Sequence, residues 1–245
     1  MAFPEFFARI PAITLRDPLA ELLGAAEGGL IEYRFADAVR LAGHSCPTVA
    51  GAWLMTVRAL RALYGDEMPV RGGLRVALGE NADSGVAGVI ASIAGLLTGA
   101  AGDGGFKGLG GRHSRRGLLH FGVAGVGGLA FTRLDTNVAV DCRLRLETVP
   151  ADPRLPGLLG AILQGTADTA TRRLFGELWQ ERVQRILIDH ADDRDAAADR
   201  GQDRDRTGDR HDRHRDPRRG RHQEFRAHQQ RHLHPAHRRR GHLVC

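Results

Sequence analysis

The sequence predicts an α+β fold in which a mixed or antiparallel sheet packs against a long central helix and further helices. Apolar residues recur at three- and four-residue steps from Val49 to Tyr64, which indicates a helix, and they alternate along residues 137–146, which indicates a strand. This patterning stops near residue 191. We therefore expect one domain at residues 1–191 and a separate tail at residues 192–245.

The N-terminal region contains four short patterned segments before the long helix. They predict helices at 5–9 and 18–25, a strand at 30–35 and a helical turn at 36–41. Gly43 fits the C-cap of that turn, because glycine tolerates the left-handed backbone of this position. Pro47 suits the first turn of the long helix, which we expect to end near Gly65.

The rest of the domain alternates between strands and helices. The patterns predict strands at 74–78, 118–123, 128–134 and 137–146, and helices at 83–97, 155–163 and 166–192. Asp83 and Ser84 can cap the first of these helices. Alternation in the last strand places Cys142 on the apolar face, so we expect it in the core. Trp179 widens the apolar stripe of the last helix, where we expect core or dimer-interface packing.

The segment Gly43-His44-Ser45-Cys46-Pro47 places an imidazole and a thiol two residues apart at the start of the long helix. The positive end of the helix dipole favours a thiolate there. Neutral histidine and cysteine thiolate are also the commonest ligands of zinc and related metals. His44 and Cys46 are therefore candidates for catalysis and for metal binding. Purely structural roles for both residues are an equal alternative.

Residues 99–117 are dense in glycine and carry several cations. Glycine lets the backbone approach a ligand, and clustered cations suit an anion. Lys107 and Arg116 are the candidates for binding a small anionic ligand. The segment lacks the spacing of a phosphate-binding P-loop, and a loop with solvated charges is the alternative.

The net charge of +6 belongs to the tail and not to the domain. Residues 201–245 hold 13 Arg, no Lys and 6 acidic residues, a net of +7, whereas the other 200 residues hold 22 basic and 23 acidic side chains. The domain itself is close to neutral, so nucleic-acid binding is not a function that we expect of it.

The tail permits several interpretations. It contains 8 of the 12 histidines, and a histidine-rich tract can bind metal, while a basic one can bind nucleic acid or anionic surfaces. A tract of mixed charge with almost no aromatic residues is more simply disordered. We favour a disordered tail produced by a frameshift, because GC-rich codons read out of frame tend to encode Arg, Gly, His, Asp and Ala. The nucleotide sequence tests this interpretation: another frame should encode an apolar, patterned continuation.

Cysteine usage and hydropathy indicate the compartment. Cys46, Cys142 and Cys245 include no C-x-x-C pair and do not make a disulfide framework. The N-terminus lacks the pattern of a secretory signal, and the apolar stretch at 86–97 is too short to span a bilayer. We expect a cytoplasmic protein without membrane contact.

With these motifs in place, residues 36–146 resemble the core domain of the FmdE-like family, which takes its name from a component of formylmethanofuran dehydrogenase. Gly43-His44-x-Cys46-Pro47 matches the family's G-H-x-C-P-G, which is the most specific part of the resemblance. Gly105-Phe106-Lys107-Gly108 is similar to its G-K-G loop, and Phe131-Thr132-Arg133-Leu134-Asp135-Thr136 is similar to its F-x-R-x-T-G strand end. The C-terminal helices at 155–191 lie outside the resemblance.

The resemblance implies an α+β core, a homodimer, and a zinc or other divalent transition-metal site to which His44 and Cys46 contribute. It also implies a free-standing protein or an accessory of a molybdenum- or tungsten-type oxidoreductase. The sequence departs from the family pattern in three ways: Thr48 replaces a glycine, no cysteine lies at 80–88, and the C-terminal zinc ribbon is missing. A metal on His44 and Cys46 therefore needs further ligands, and the available candidates are Asp83, His113 and His120.

Three functions follow from these observations. The first is a metal-binding protein whose open coordination position allows Lewis-acid chemistry or anion binding, with Lys107 and Arg116 as counter-charges. The second is a thiol enzyme or redox sensor in which His44 activates Cys46 as the nucleophile. The third is a scaffold protein without catalysis, with the glycine-rich segment and the helix of Trp179 as contact surfaces.

Overall fold

A computed structural model of the chain describes residues 3–191 and 240–244. These residues all belong to one compact unit. Six α-helices are described: α1 (Pro18–Leu22), α2 (Phe35–Ala42), α3 (Pro47–Tyr64), α4 (Ala87–Thr98), α5 (Leu155–Leu163) and α6 (Thr169–Gln184). Short 3₁₀ turns lie at Glu5–Arg9, Glu27–Gly29 and Leu146–Thr148, and a π-type turn, Arg185–Asp189, continues α6.

The strands form two sheets. The strands are β1 (Ile13–Arg16), β2 (Leu30–Tyr33), β3 (Leu74–Leu78), β4 (Leu119–His120), β5 (Leu129–Arg133), β6 (Ala139–Arg143) and β7 (Arg240–Val244). Strands β1 and β2 pair antiparallel, and the others form a mixed sheet in the order β4-β3-β5-β6-β7. In that sheet the β3–β5 and β5–β6 pairs are antiparallel, and the β3–β4 and β6–β7 pairs are parallel. The predicted α+β class is thus confirmed.

Helix α3 is the centre of the core. Fourteen of its eighteen residues are buried, among them Trp53, Met55 and Leu60. An α-helix buried on nearly all sides must be apolar around its circumference, which explains the weak separation of its apolar and polar faces in the sequence. The helix packs against α4 on one side and against the β5–β6 strands on another. Just after β6 the chain comes close to α3, since a Cβ on Gly51 would collide with the Leu144 side chain.

Several boundaries differ from prediction. Helix α4 begins at Ala87 and its N-cap is Val86, so the predicted capping by Asp83 and Ser84 was wrong. The strand predicted at 118–123 is reduced to the two residues of β4. Strand β1 was not predicted, because its four residues are too few for alternation to be recognised.

The predicted disordered tail falls mostly outside the described residues. The exception is β7, whose five residues continue the mixed sheet beside β6. Among the described residues, no helix combines the length and the apolar character needed to cross a membrane.

Candidate functional site

The His44-Ser45-Cys46 segment joins α2 to α3. Helix α2 ends at Gly43, whose φ of 75° gives the left-handed turn that glycine favours. The chain then reverses into α3, where Cys46 is the N-cap with extended backbone angles. The N–H of Val49 donates to the Cys46 sulfur at 3.5 Å. The thiol therefore takes the place of the serine or aspartate oxygen usual at an N-cap.

His44 is exposed, and one of its ring nitrogens is already engaged. Its Nδ1 lies 2.9 Å from the carbonyl oxygen of Ala42. Because a carbonyl can only accept, this contact requires the proton on Nδ1. The other nitrogen, Nε2, then carries a free lone pair in the neutral ring. Metal-binding histidines show the same arrangement, in which a carbonyl orients the ring and fixes the tautomer.

Helix α6 packs over the middle of this segment. The indole N–H of Trp179 donates to the carbonyl oxygen of Ser45 at 3.0 Å, and the amide nitrogen of Gln180 donates to the same oxygen at 3.2 Å. The Ser45 hydroxyl and the Gln180 amide oxygen are also buried, and neither has a hydrogen-bond partner among the described residues. Two unsatisfied polar atoms thus lie on the two residues that join α6 to this segment.

The structure does not bring a third ligand to His44 and Cys46. Within residues 3–191 and 240–244 there is no group of three or more His, Cys, Asp or Glu residues able to hold a metal. Asp83, His113 and His120 therefore do not complete the pair. The imidazole and thiol suit zinc by donor type, but two ligands are fewer than the three or four of a zinc site. The described part of one protomer does not by itself fit the metal.

Cys142 occupies the core, as predicted. It is fully buried on β6, and its thiol donates to the carbonyl oxygen of Met55 at 3.6 Å. Cys46 differs because its sulfur accepts a hydrogen bond at a helix start, within two residues of an exposed histidine. Cys46 is also buried, at 9% exposure, so of the two described cysteines it is distinguished by its position at the helix start and not by access to solvent.

The glycine-rich loop at 99–117 divides its cations between surface and interior. Lys107 and Arg116, the predicted anion ligands, are exposed, and neither lines the small cavity beside His44. Arg115 turns inward instead and is only 6% exposed. Its guanidinium donates to Asp17 at 2.5 Å, and Arg71 donates to the other oxygen of the same carboxylate at 2.8 Å.

Asp17 is the acceptor around which this cluster forms. It is 3% exposed, and it also accepts hydrogen bonds from the backbone N–H groups of Leu19 and Ala20 at the start of α1. Burial works to raise its pKa, but the hydrogen bond from Arg71 and the charge of Arg115 outweigh burial and hold the pKa of Asp17 below its ordinary value. The cluster anchors the glycine-rich loop to α1, and its role is structural.

Arg133 of the predicted F-x-R-x-T-G segment also makes a structural cluster. It donates to Asp135, to Glu67 and to the carbonyl oxygen of Leu63, and it stacks 4.1 Å from the ring centre of Tyr64. The hydrogen bond from Arg133 lowers the pKa of Asp135. These contacts tie the end of α3 to the turn between β5 and β6.

Sequence reasoning missed three functional or structural features. The Asp17-Pro18 pair has the pattern of a helix N-cap, but nothing near it in sequence indicates two arginines. The contact of α6 with Ser45 joins residues 134 positions apart, beyond any local pattern. Arg143 lines a cavity described below, and its only sequence signal is the glycine pair at 127–128 that makes room for it.

Comparison with family models, with curated proteins and with solved structures finds no match, so the resemblance to the FmdE-like family stays a prediction.

Proposed function

We propose that the chain binds a divalent transition metal, zinc in the first place, through Nε2 of His44 and the sulfur of Cys46. The observation that carries the proposal is the contact between Nδ1 of His44 and the Ala42 carbonyl, since in the neutral ring it places the proton on Nδ1 and leaves the Nε2 lone pair for a metal on an exposed surface. The hydrogen bond from the Val49 N–H to the Cys46 sulfur holds the second ligand at the start of α3.

The missing ligands, in this proposal, come from a second copy of the chain. Two His-x-Cys pairs related by a two-fold axis make a four-ligand Cys₂His₂ site, the usual composition of a closed zinc site. The site is incomplete in one protomer, so metal binding and dimer formation depend on each other. This is the form of the predicted homodimer that the geometry favours.

The surface beside His44 supports the proposal that a second copy of the chain packs over the site. His44 lines a cavity of 140 Å³ with Leu41, Ser92 and other residues of α2 and α4. A groove of 550 Å³ shares Leu41 and Ser92 with it and follows α4, and none of the residues that line it is charged. Helix α4 contains no charged residue at all. An uncharged groove bordered by the exposed residues Leu41 and Ser92 supports a protein–protein contact at this surface.

Cobalt(II) titration of the metal-free protein tests the proposal. A thiolate-to-cobalt charge-transfer band should grow and saturate at one metal for two chains, with the protein becoming dimeric in analytical ultracentrifugation. Saturation at one metal for each chain, with a monomeric protein, would support metal binding but contradict the contribution of a second copy. Absence of the band would contradict metal binding itself. A dimer that forms equally well without metal would point to the oxidoreductase-accessory or scaffold functions.

Four variants identify the ligands. His44→Ala and Cys46→Ser should abolish the cobalt band. Cys142→Ala removes a thiol that lies in the core, and His120→Ala removes an exposed imidazole on β4, so both should retain it. Loss of the band in either of the last two would show that the ligands were assigned incorrectly.

A thiol-based function is the second candidate, and the N-cap position of Cys46 is the observation that favours it. No acidic residue lies in the first turn of α3 to oppose a thiolate there. Iodoacetamide should then modify Cys46 of metal-free protein much faster than Cys142, as followed by peptide mass spectrometry. His44→Ala distinguishes a thiol activated by His44 from one activated by the helix N-terminus alone, because the alkylation rate falls only if His44 takes part.

A further inference from the structure

A cavity of 680 Å³ lies on the other side of α4 from the groove, and none of the predicted site residues lines it. It opens between the start of α4, the ends of β3 and β6, and the segment that leads into β5. Its volume falls within the range of small-molecule sites, about 300–1,000 Å³. The cavity is independent of the metal proposal.

The floor of this cavity is apolar and belongs to the core. Met55 of α3, Leu78 of β3 and Leu129 of β5 line it, and each is at most 2% exposed. Val86 and Ile90 of α4 form an apolar side wall. A ligand that reaches this floor must have an apolar body, because no polar group of these five side chains can bind it.

The rim carries charges, and Arg143 is the one that packing positions. Its guanidinium lies against Gly127, where a Cβ would collide with it, and its stem lies against Gly128. Neither glycine has a positive φ, so backbone conformation does not require glycine there. Arg143 fills the space that Gly127 leaves, whereas the carbonyl oxygen of Cys142 is the nearest atom at Gly128.

The guanidinium of Arg143 also has N–H groups that can donate to a ligand. Within residues 3–191 and 240–244 the structure shows no hydrogen bond or ion pair from its side chain. Arg145, Glu80 and Glu147 also line the cavity, and all three are exposed to solvent, as Arg143 is, so that solvent screens their charges. Arg145 differs from Arg143 because it makes an interaction of its own. A guanidinium held in place beside an apolar cavity is suited to a carboxylate.

We infer that this cavity binds a small amphipathic acid, with its apolar body on Met55, Leu78 and Leu129 and its carboxylate on Arg143. The ligand class follows from the pairing of an uncharged floor with Arg143, the rim arginine that packs against Gly127 and has no hydrogen bond or ion pair among the described residues. Both ends of the ligand contribute, so neither a purely apolar molecule nor a polar anion should bind as well.

Isothermal titration of the full-length protein with octanoate, below its micelle concentration, tests the inference. Octanoate should bind with a Kd of about 1 mM or tighter. 1-Octanol, which has the same body without the charge, and octylammonium, which has the opposite charge, should each bind at least about tenfold more weakly. Acetate, which lacks the body, should not bind detectably.

Two variants and one control locate the binding. Arg143→Gln should weaken octanoate about tenfold and leave 1-octanol unchanged. Val86→Trp, at a wall position that is 47% exposed, should fill the cavity and weaken the binding of both octanoate and 1-octanol. Arg75→Gln removes an exposed arginine of β3 that does not line the cavity, and it should change neither. The inference is overturned by octanoate that fails to bind, by octanol or octylammonium binding equally well, or by an Arg143→Gln variant that binds octanoate like the wild type.

Discussion

The segment at residues 43–47 and the glycine-rich loop at 99–117 both concentrate reactive or charged side chains, but the fold uses them differently. In the first, His44 is exposed and only its Nδ1 is engaged, by a carbonyl two residues away. In the second, Arg115 is buried and bound to Asp17, 98 residues away in sequence. The first segment keeps one imidazole nitrogen exposed while its thiol is buried, and the second uses an arginine to hold the fold together.

This difference shows what decides whether a polar side chain is free to bind a ligand. A cation is available only if no buried carboxylate has been placed to receive it, because leaving such a carboxylate unpaired is costly. Lys107 and Arg116 flank Arg115 in the loop and remain exposed. Lys107, Arg115 and Arg116 are all positively charged and lie in the same glycine-rich loop. They differ because Arg115 is paired with the buried carboxylate of Asp17.

The largest expected effect comes from removing that partner. Asp17→Asn keeps a side chain that can cap α1 but leaves two arginines without their buried carboxylate. We expect the free energy of unfolding, measured by urea denaturation at neutral pH, to fall by about 3–5 kcal/mol. Asp103→Asn, at an exposed position of the loop, is the matched control and should change it by less than about 0.5 kcal/mol. Equal effects of the two variants would mean that the cluster does not anchor the loop.

The pH dependence of this effect follows from the lowered pKa of Asp17. A carboxyl with a lower pKa in the folded state stabilises the fold above its unfolded pKa of about 3.9, and this stability is lost as the pH falls through the folded value. The difference in unfolding free energy between wild type and Asp17→Asn should therefore be constant from pH 7 to about pH 5 and shrink below about pH 4. Urea midpoints at these pH values measure it. A difference that grows on acidification would contradict the assignment.

A smaller effect is expected where α6 holds the other segment. Trp179→Phe removes the indole donor to Ser45, while Gln180 still donates to the same oxygen. The free energy of unfolding should fall by about 0.5–1.5 kcal/mol, and iodoacetamide should reach Cys46 faster. Arg172→Gln, an exposed change on the same helix, should alter neither quantity. If alkylation is unchanged in Trp179→Phe, α6 does not protect the thiol.

The smallest expected effect is a gain in the free energy of unfolding and not a loss. Ser45→Ala removes a buried hydroxyl that has no hydrogen-bond partner among the described residues. The protein should be unchanged or up to about 1 kcal/mol more stable in urea denaturation. Ser114→Ala removes an exposed hydroxyl that donates to Phe106, and it should cost no more than about 0.5 kcal/mol. A clear loss of stability in Ser45→Ala would show that its hydroxyl has a partner after all.

Local patterns predicted most of the elements and few of the contacts between them. The period of α3, the strand at 74–78 and the inward side of Cys142 follow from residues close in sequence, so they could be recognised. The end of α3, the cap at Cys46 and the glycine at position 43 follow from helix-terminus chemistry.

The contacts that decide function lie between residues distant in sequence. Nothing around Arg115 distinguishes it from Arg116, and the difference appears only when β1, α1 and the loop are packed together. The lack of a third ligand among residues 3–191 and 240–244 is likewise a property of the packed chain, since Asp83, His113 and His120 are present in sequence but form no metal-binding group with His44 and Cys46. The placement of Arg143 beside a cavity depends on the same long-range packing.

The two hydrogen bonds from α6 to Ser45 have a consequence for the order in which the protein matures on the ribosome. Residues 43–47 emerge early, but Trp179 follows Ser45 by 134 residues, which at about 5–20 residues per second is a delay of roughly 7–27 s. Throughout that interval the nascent chain presents its histidine and cysteine without the helix that later packs on Ser45 between them. A thiol-reactive or metal-delivering encounter during synthesis thus meets a more open segment than the finished protein offers.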